Sequence, residues 1–117
     1  MAYYVARLFL LFVLLAGASV AFAEELPIVE HVEAQPLASQ VRRTVEALEF
    51  LGQPLTVAEN ARVEEAVASG DVVAIQTALD PLVLAGVSIS PEQRVKVARG
   101  AAAARLVEQG WTVFLVK

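Results

Sequence analysis

Few residues of this chain have the types and spacing that metal binding or catalysis requires. His31 is the single histidine among 117 residues, and Glu30 and Glu33 flank it with carboxylates that are common zinc ligands. A catalytic zinc ion needs three protein ligands in a fixed geometry, and the sequence has neither a second histidine nor a cysteine. We therefore expect His31 to be a solvated surface residue, and we expect no metal and no other cofactor.

Other catalytic patterns are incomplete as well. Glu64 and Glu65 are paired carboxylates, but adjacent residues of a helix do not face each other, so both are expected to point to solvent. The sequence contains no nucleophile elbow, phosphate-binding loop or dinucleotide fingerprint. The serines that follow residue 23 have no histidine near them in sequence: Ser39, Ser69, Ser88 and Ser90. The prediction is that this chain is not an enzyme.

The basic residues and the tryptophan do not indicate a binding site either. Arg94, Lys96 and Arg99 form one small basic cluster. Arg94 and Lys96 alternate with Val95 and share one face of the predicted strand, which is typical of the solvated face of an edge strand. The net charge is −4, so clustered positive charge for nucleic acid or an anionic membrane surface is lacking. Trp111 has the side chain of a carbohydrate-stacking residue, but its place after Gly110 at the start of a strand predicts a core anchor.

The first 23 residues have the three zones of a secretory signal peptide. Arg7 precedes an apolar run at residues 8–16, and Ala21-Phe22-Ala23 stands directly before Glu24. Small residues at the −3 and −1 positions fit the peptidase pocket, so Ala21, Ala23 and Glu24 mark a cleavage site after Ala23. The chain is therefore predicted to be exported to the periplasm, the cell surface or the medium.

The alternative is a membrane anchor formed by an uncleaved segment, residues 3–22. A spanning helix needs about 20 apolar residues, and the dense run here is about half as long, so cleavage is favoured. The mature chain then has 94 residues, a net charge of −5 and no membrane anchor. It contains no cysteine, so its stability must come from packing.

The mature chain is predicted to begin with an extended lead-in, residues 24–36, followed by a helical unit, residues 37–80. Apolar residues recur at steps of three and four from Leu37 to Leu51, and Gly52 suits the left-handed position after a helix end. Thr56 and Glu59 form a capping box that predicts a second helix over 57–68. Asp71 caps a third helix that Pro81 ends, which gives three short antiparallel helices.

After Pro81 the apolar period changes to two, which predicts β-strands over residues 81–117. Half-buried strands are expected around Val87 and Ile89 and around Val95 and Val97, with a turn at Pro91-Glu92 between them. Residues 101–109 form one or two helical turns or a loop. Residues 111–116 have the strongest strand pattern of the chain, so the predicted fold class is α+β.

The strand predicted at 111–116 is apolar on both faces, with Trp111, Val113 and Leu115 on one and Phe114 and Val116 on the other. Such strands normally lie in the centre of a sheet. We therefore expect an incomplete β-sandwich and a polypeptide that continues past Lys117. The alternative is a complete small exported protein that binds a partner or dimerises through the edge strand 111–116.

Eight short runs distributed over the mature chain carry a resemblance to a known group: residues 32–37, 41–43, 47–55, 79–81, 84–87, 94–97, 106–111 and 114–117. Together they resemble the beginning of large exported bacterial proteins that carry a downstream metallohydrolase domain of the PHP type, often labelled CehA/McbA-like. The resemblance implies a helical lead domain, then β-sandwich material, with the histidine-rich catalytic site downstream of Lys117. This chain is then expected to be a noncatalytic amino-terminal module whose partners are the downstream domains.

Overall fold

Three helices precede a three-stranded sheet in the structure, a computed structural model that describes residues 25–117. The elements, numbered in chain order, are α1 (Ala34–Phe50), α2 (Val57–Ser69), α3 (Val72–Leu79), a 3₁₀ turn (Asp80–Leu82), β1 (Val83–Ile89), β2 (Val95–Arg99) and β3 (Leu115–Val116). The predicted α+β class is confirmed. The predicted signal peptide and its cleavage residues Ala21, Ala23 and Glu24 lie outside the described residues, within which no helix is long and apolar enough to cross a membrane.

Helix α1 begins three residues earlier than predicted, so the extended lead-in ends at Glu33 rather than at Pro36. Proline is tolerated there because the first turn of a helix has amide groups without intrahelical partners. The predicted end is confirmed. Gly52 has φ +79° and its amide donates to the Glu49 carbonyl at 3.0 Å, which closes the helix after Phe50.

Local capping signals specify the next two helices. The Thr56 hydroxyl accepts from the Glu59 amide at 3.3 Å, and a Glu59 carboxylate oxygen accepts from the Thr56 amide at 2.8 Å, which confirms the capping box. Gly70, with φ +69°, follows α2. The Asp71 carboxylate then accepts from the first amides of α3, as predicted. Helix α3 ends at Leu79, and Pro81 lies in the 3₁₀ turn that follows it directly.

The hydrophobic core lies among the three helices. Val63 in α2 and Ile75 in α3 are each 1 % exposed, and α1 contributes Ala38 and Val41 to the buried cluster. The buried cluster comprises Ala38, Val41, Val63, Ala66, Val67 and Ile75. The helices therefore bury their own apolar faces, with partly buried side chains such as Leu37 and Leu82 at the rim.

The sheet has the order β2-β1-β3. β1 pairs antiparallel with β2, with Val87 opposite Val97, and parallel with β3, with Val83 opposite Leu115. The Val87 amide donates to the Lys117 carbonyl at 2.7 Å, which extends the parallel pairing by one residue. The predicted strand 111–116 is wrong for its first four residues, and β3 lies at an edge rather than in the centre, because β1 is the strand with two neighbours.

The segment between β2 and β3 has no helix and no strand. Residues 101–109 therefore form a loop, one of the two alternatives that the sequence left open. Trp111 is 96 % exposed, so its prediction as a core anchor is wrong. The loop is tied back to the end of α1 by Gln53: with its amide nitrogen towards the Val113 carbonyl, the side chain makes two hydrogen bonds to that backbone, at 3.0 and 3.3 Å.

An ion pair connects the end of the chain to the turn after α3. The Lys117 ammonium lies 2.8 Å from a carboxylate oxygen of Asp80, and both side chains are largely buried. Salt screens such a partly buried pair less than it screens an exposed one. The pair joins the sheet to the helical unit beside β3.

Residues 25–33, which we call the strap, cross from the sheet to α3. Leu26 is 4 % exposed and lies over Gly86 in β1, where an added Cβ would stand 2.7 Å from a Leu26 methyl carbon. Val29 donates its amide to the side-chain oxygen of buried Gln76 at 2.8 Å, and the Gln76 nitrogen donates to the Val29 carbonyl at 3.1 Å. The strap thus takes part in the packing of both the sheet and the helices.

Replacing Leu26 should therefore destabilise the whole fold. We expect Leu26→Ala to lower the free energy of unfolding by about 2–3 kcal/mol, because the methyl groups over Gly86 are lost and leave a cavity. Ile28→Ala is the matched control, since Ile28 is an exposed residue of the same strap. Urea denaturation followed by circular dichroism measures both, and equal losses for the two variants would contradict this placement of the strap.

The capping box predicts an acid dependence of stability. Hydrogen bonds from the Thr56 side chain and backbone hold the pKa of Glu59 below its ordinary value of 4.5. A carboxyl whose pKa is lowered by folding stabilises the folded state above its unfolded pKa, and this is lost as the pH falls through the folded pKa. The stability advantage over Glu59→Gln should therefore shrink as the pH falls below 4.5. Denaturation at several pH values measures it, and a constant difference would contradict the assignment.

Candidate functional site

The surface with the clearest functional potential is one face of the β1–β2 hairpin. Val87 lies opposite Val97 and Ile89 lies opposite Val95, so the four aliphatic side chains share one face. Their exposed fractions range from 41 % for Val87 to 69 % for Ile89. We call these four residues the outer face. The prediction of half-buried strands is wrong for Ile89, Val95 and Val97, which are each 60 % exposed or more.

The opposite side of the hairpin, the inner face, carries smaller and more polar residues. Gly86 pairs with Ala98, and Ser88 pairs with Lys96. Leu26 of the strap covers Gly86, which is buried. The hairpin therefore turns its β-branched side chains to water and keeps a glycine and a serine on the side of the strap. An exposed face of aliphatic side chains is typical of a surface that another layer covers.

Charged residues stand at both ends of the hairpin. Arg99 pairs with Ala85 at the end nearer the helices, and it is exposed on the same side as Val97. At the other end, Glu92 lies in the turn that joins the strands, at the predicted place. Hydrogen bonds from the Ser90 side chain and from its own backbone lower the pKa of Glu92. Ser90 alternates with Ile89, so this hydrogen bond draws the Glu92 carboxylate towards the inner face, and Arg99 is the charged residue that shares the side of the outer face.

The basic cluster expected from the sequence is divided by the sheet. Lys96 alternates with Val95 and Val97 and belongs to the inner face, where it pairs with Ser88. Arg99 belongs to the outer face. All three basic residues are exposed, as expected of a solvated strand, and Arg94 precedes β2 at the turn. The cluster is therefore not a single cationic site.

His31 has the exposure that was predicted for it. Its side chain is 95 % exposed and its Nε2 atom lies 4.0 Å from a carboxylate oxygen of Glu30. Glu33 stands at the start of α1 without a side-chain hydrogen bond to the helix. Within residues 25–117, no three histidine, cysteine or acidic side chains are grouped closely enough to hold a metal ion. Glu64 and Glu65 are exposed on α2, as expected of adjacent helical residues.

Two of the four candidate serines have structural roles. The Ser69 hydroxyl donates to the Ala66 carbonyl at 2.7 Å and accepts from the Asp71 amide, which shapes the turn between α2 and α3. The Ser90 hydroxyl accepts from the Arg94 amide at 3.3 Å in the hairpin turn. Ser39 and Ser88 are exposed.

A cleft lies between the end of α1 and the loop that precedes β3. It has a volume of about 360 Å³ and is lined by Leu48, Leu82 and Arg105, among others. The Thr112 hydroxyl in its wall is buried and has no hydrogen-bond partner within the described residues. Of its twelve lining residues only Gln53, Arg105 and Thr112 have polar side chains, so the cleft is mainly apolar.

No protein-family model, curated protein or solved structure matches this chain. The assignment of function therefore depends on the surfaces described above. The sequence shows that Val87 and Ile89 alternate with Ser88 and Ser90, and that Val95 and Val97 alternate with Lys96, which is the signal of the outer face. Sequence reasoning assigned these residues to burial, because alternation shows that one face is apolar but does not show whether a layer covers it.

If the outer face is exposed, a hydroxyl there should be harmless. We expect Val97→Thr to change the free energy of unfolding by less than about 0.5 kcal/mol, because surface substitutions have small effects. The same replacement at Val63 in the helical core should cost about 1–3 kcal/mol, because it buries a hydroxyl without a partner. Chemical denaturation of both variants tests this, and a loss at Val97 equal to that at Val63 would show that the outer face is buried.

Proposed function

We propose that this chain is the noncatalytic amino-terminal module of an exported protein, and that its sheet is one layer of a β-sandwich. The observation that carries the proposal is the outer face, on which Val87, Ile89, Val95 and Val97 are exposed together. A β-sandwich places a second sheet about 10 Å above such a face and buries it. The role of the module is then to hold a second layer of the assembled protein in a fixed position.

The sequence supports the exported part of this proposal. The zones before Glu24 are those of a cleavable signal peptide, and the mature chain has no cysteine that would need a defined redox state. In the exported PHP-type proteins that the chain resembles, hydrolase activity belongs to a later domain, and we propose the same arrangement for this polypeptide. In this proposal, residues 24–117 contribute no catalytic group.

The second candidate is a complete small exported protein that binds a partner or dimerises. The strand predicted at 111–116 offers an edge for this function, and β3 does lie at an edge of the sheet, but it contains only Leu115 and Val116 of that segment. The outer face favours the same class of function through a different surface, since an exposed aliphatic patch is typical of protein-protein contacts.

Cysteine labelling tests whether the outer face is covered in the exported protein. Residues 1–117 contain no cysteine, so Val97→Cys introduces the one thiol of this part of the protein. Produced from the complete gene and exported, this variant should react with a maleimide at least about tenfold more slowly than Ser39→Cys, whose thiol stands on an exposed position of α1.

The isolated mature chain at nanomolar concentration is the control, and in it the two thiols should react at similar rates. Equal rates in the exported protein as well would show that nothing covers the outer face and would contradict the proposed function.

A further inference from the structure

We propose that the cleft between the end of α1 and the loop before β3 binds a small amphipathic carboxylate, a molecule with one anionic group and an apolar body. The guanidinium of Arg105 binds the carboxylate, and the aliphatic and aromatic residues of the cleft contact the body. None of the lining residues belongs to the outer face, so this inference goes beyond the proposed function and is tested separately from it.

The cleft has the size and polarity of a small-molecule site. Its volume of about 360 Å³ falls in the range of about 300–1,000 Å³ that ligand pockets occupy. Such pockets are lined mainly by apolar side chains, with a few polar groups that fix the orientation of the ligand. An apolar cavity of about 150 Å³ holds benzene, so this cleft has room for a molecule with on the order of ten non-hydrogen atoms.

Three parts of the fold supply the walls of the cleft. Leu48 belongs to α1, Leu82 to the 3₁₀ turn, and Phe114 to the loop directly before β3. Gln53 holds that loop against the end of α1 through its two hydrogen bonds to the backbone of Val113. The side-chain amide of Gln53 is thus used within the protein, which leaves two polar side chains in the lining for a ligand.

The first of these side chains is an unpaired cation. Within residues 25–117 no carboxylate lies within 4.0 Å of the Arg105 guanidinium, and none of the lining residues is acidic. A guanidinium presents two parallel N–H groups, which match the two oxygens of a carboxylate. A single cation also matches the single charge of a carboxylate better than the charge of about −2 on a phosphate monoester.

The second is the buried hydroxyl of Thr112, which has no hydrogen-bond partner within the described residues. A buried polar group without a partner destabilises a fold, so such groups are rare in native proteins. Thr112 lines the cleft, and rotation about its Cα–Cβ bond exchanges the hydroxyl with the methyl group and turns the hydroxyl to a ligand. The two oxygens of a carboxylate have about four acceptor positions, enough for this hydroxyl as well as for Arg105.

Titration calorimetry of the exported protein with hydrocinnamate is the first measurement. This probe joins a phenyl ring to a carboxylate through two methylene groups, and hydrocinnamyl alcohol is its uncharged counterpart. Ligands of this size bind weakly, so we expect a dissociation constant between about 10 µM and 10 mM. The alcohol should bind at least about tenfold more weakly, because it lacks the charge-assisted hydrogen bonds. Failure of the acid to bind in this range, or equal affinity for acid and alcohol, overturns the inference.

Substitution of Arg105 tests whether the acid binds in the cleft. Arg105→Gln should weaken binding of the acid by about tenfold and leave the affinity for the alcohol within about twofold, because only the charged contact is lost. Arg94→Gln is the matched control, since it removes the same charge from an exposed arginine outside the cleft, and it should change the affinity by less than about twofold. Unchanged affinity in Arg105→Gln, or equal losses in both variants, overturns the inference.

Thr112→Val tests the role of the hydroxyl. Without ligand the variant should be at least as stable to heat as the original protein, because valine removes a buried hydroxyl that has no partner. It should nevertheless bind the acid about three- to tenfold more weakly, because one hydrogen bond to the ligand is lost. A less stable variant that binds the acid as tightly as the original would show that the hydroxyl serves the fold and would overturn its place in the site.

Discussion

The fold depends on β1, because this strand must satisfy its backbone hydrogen bonds on both edges while it also connects the sheet to the helices. Its antiparallel edge is paired with β2 and its parallel edge with β3 and Lys117. A buried backbone group without a partner costs as much as a lost hydrogen bond, so both neighbours are needed. Val83 anchors the strand in the interior, and Gly86 leaves the space that Leu26 fills.

The helical unit and the sheet differ in how far they bury their own apolar surface. The helices enclose a cluster of six buried residues, whereas β1 buries only Val83 and Gly86 and β2 buries none among its five strand positions. Hydrophobic stabilisation grows with the apolar area removed from water, so the hairpin contributes little to the stability of the isolated chain. Much of its apolar area is left for contacts with other protein surfaces, and this is why the proposed function concerns assembly.

The helices were predictable because their signals are local. The positive φ of Gly52, the hydrogen bonds of Thr56 with Glu59 and the cap at Asp71 each depend on residues a few positions apart. The start of α1 was missed because Pro36 suits both an extended segment and the first turn of a helix.

The sheet was less predictable because its pairing is not local. Residues 111–114 have an apolar strand pattern, but a strand forms only where an edge accepts it, and β1 offers its parallel edge to the last residues alone. Trp111 is left in solvent for the same reason. The outer face was visible because Val87 and Ile89 flank Ser88, and Val95 and Val97 flank Lys96, yet its exposure depends on which layers surround the hairpin.

The two glutamines that hold the extended segments have a consequence for how the sequence can vary. Gln76 and Gln53 each bind the backbone amide and carbonyl of one residue, Val29 and Val113, and so take the place of a neighbouring strand. Backbone groups are the same in every residue except proline, which lacks the amide hydrogen. Positions 29 and 113 can therefore drift among most residue types during evolution, whereas positions 76 and 53 cannot.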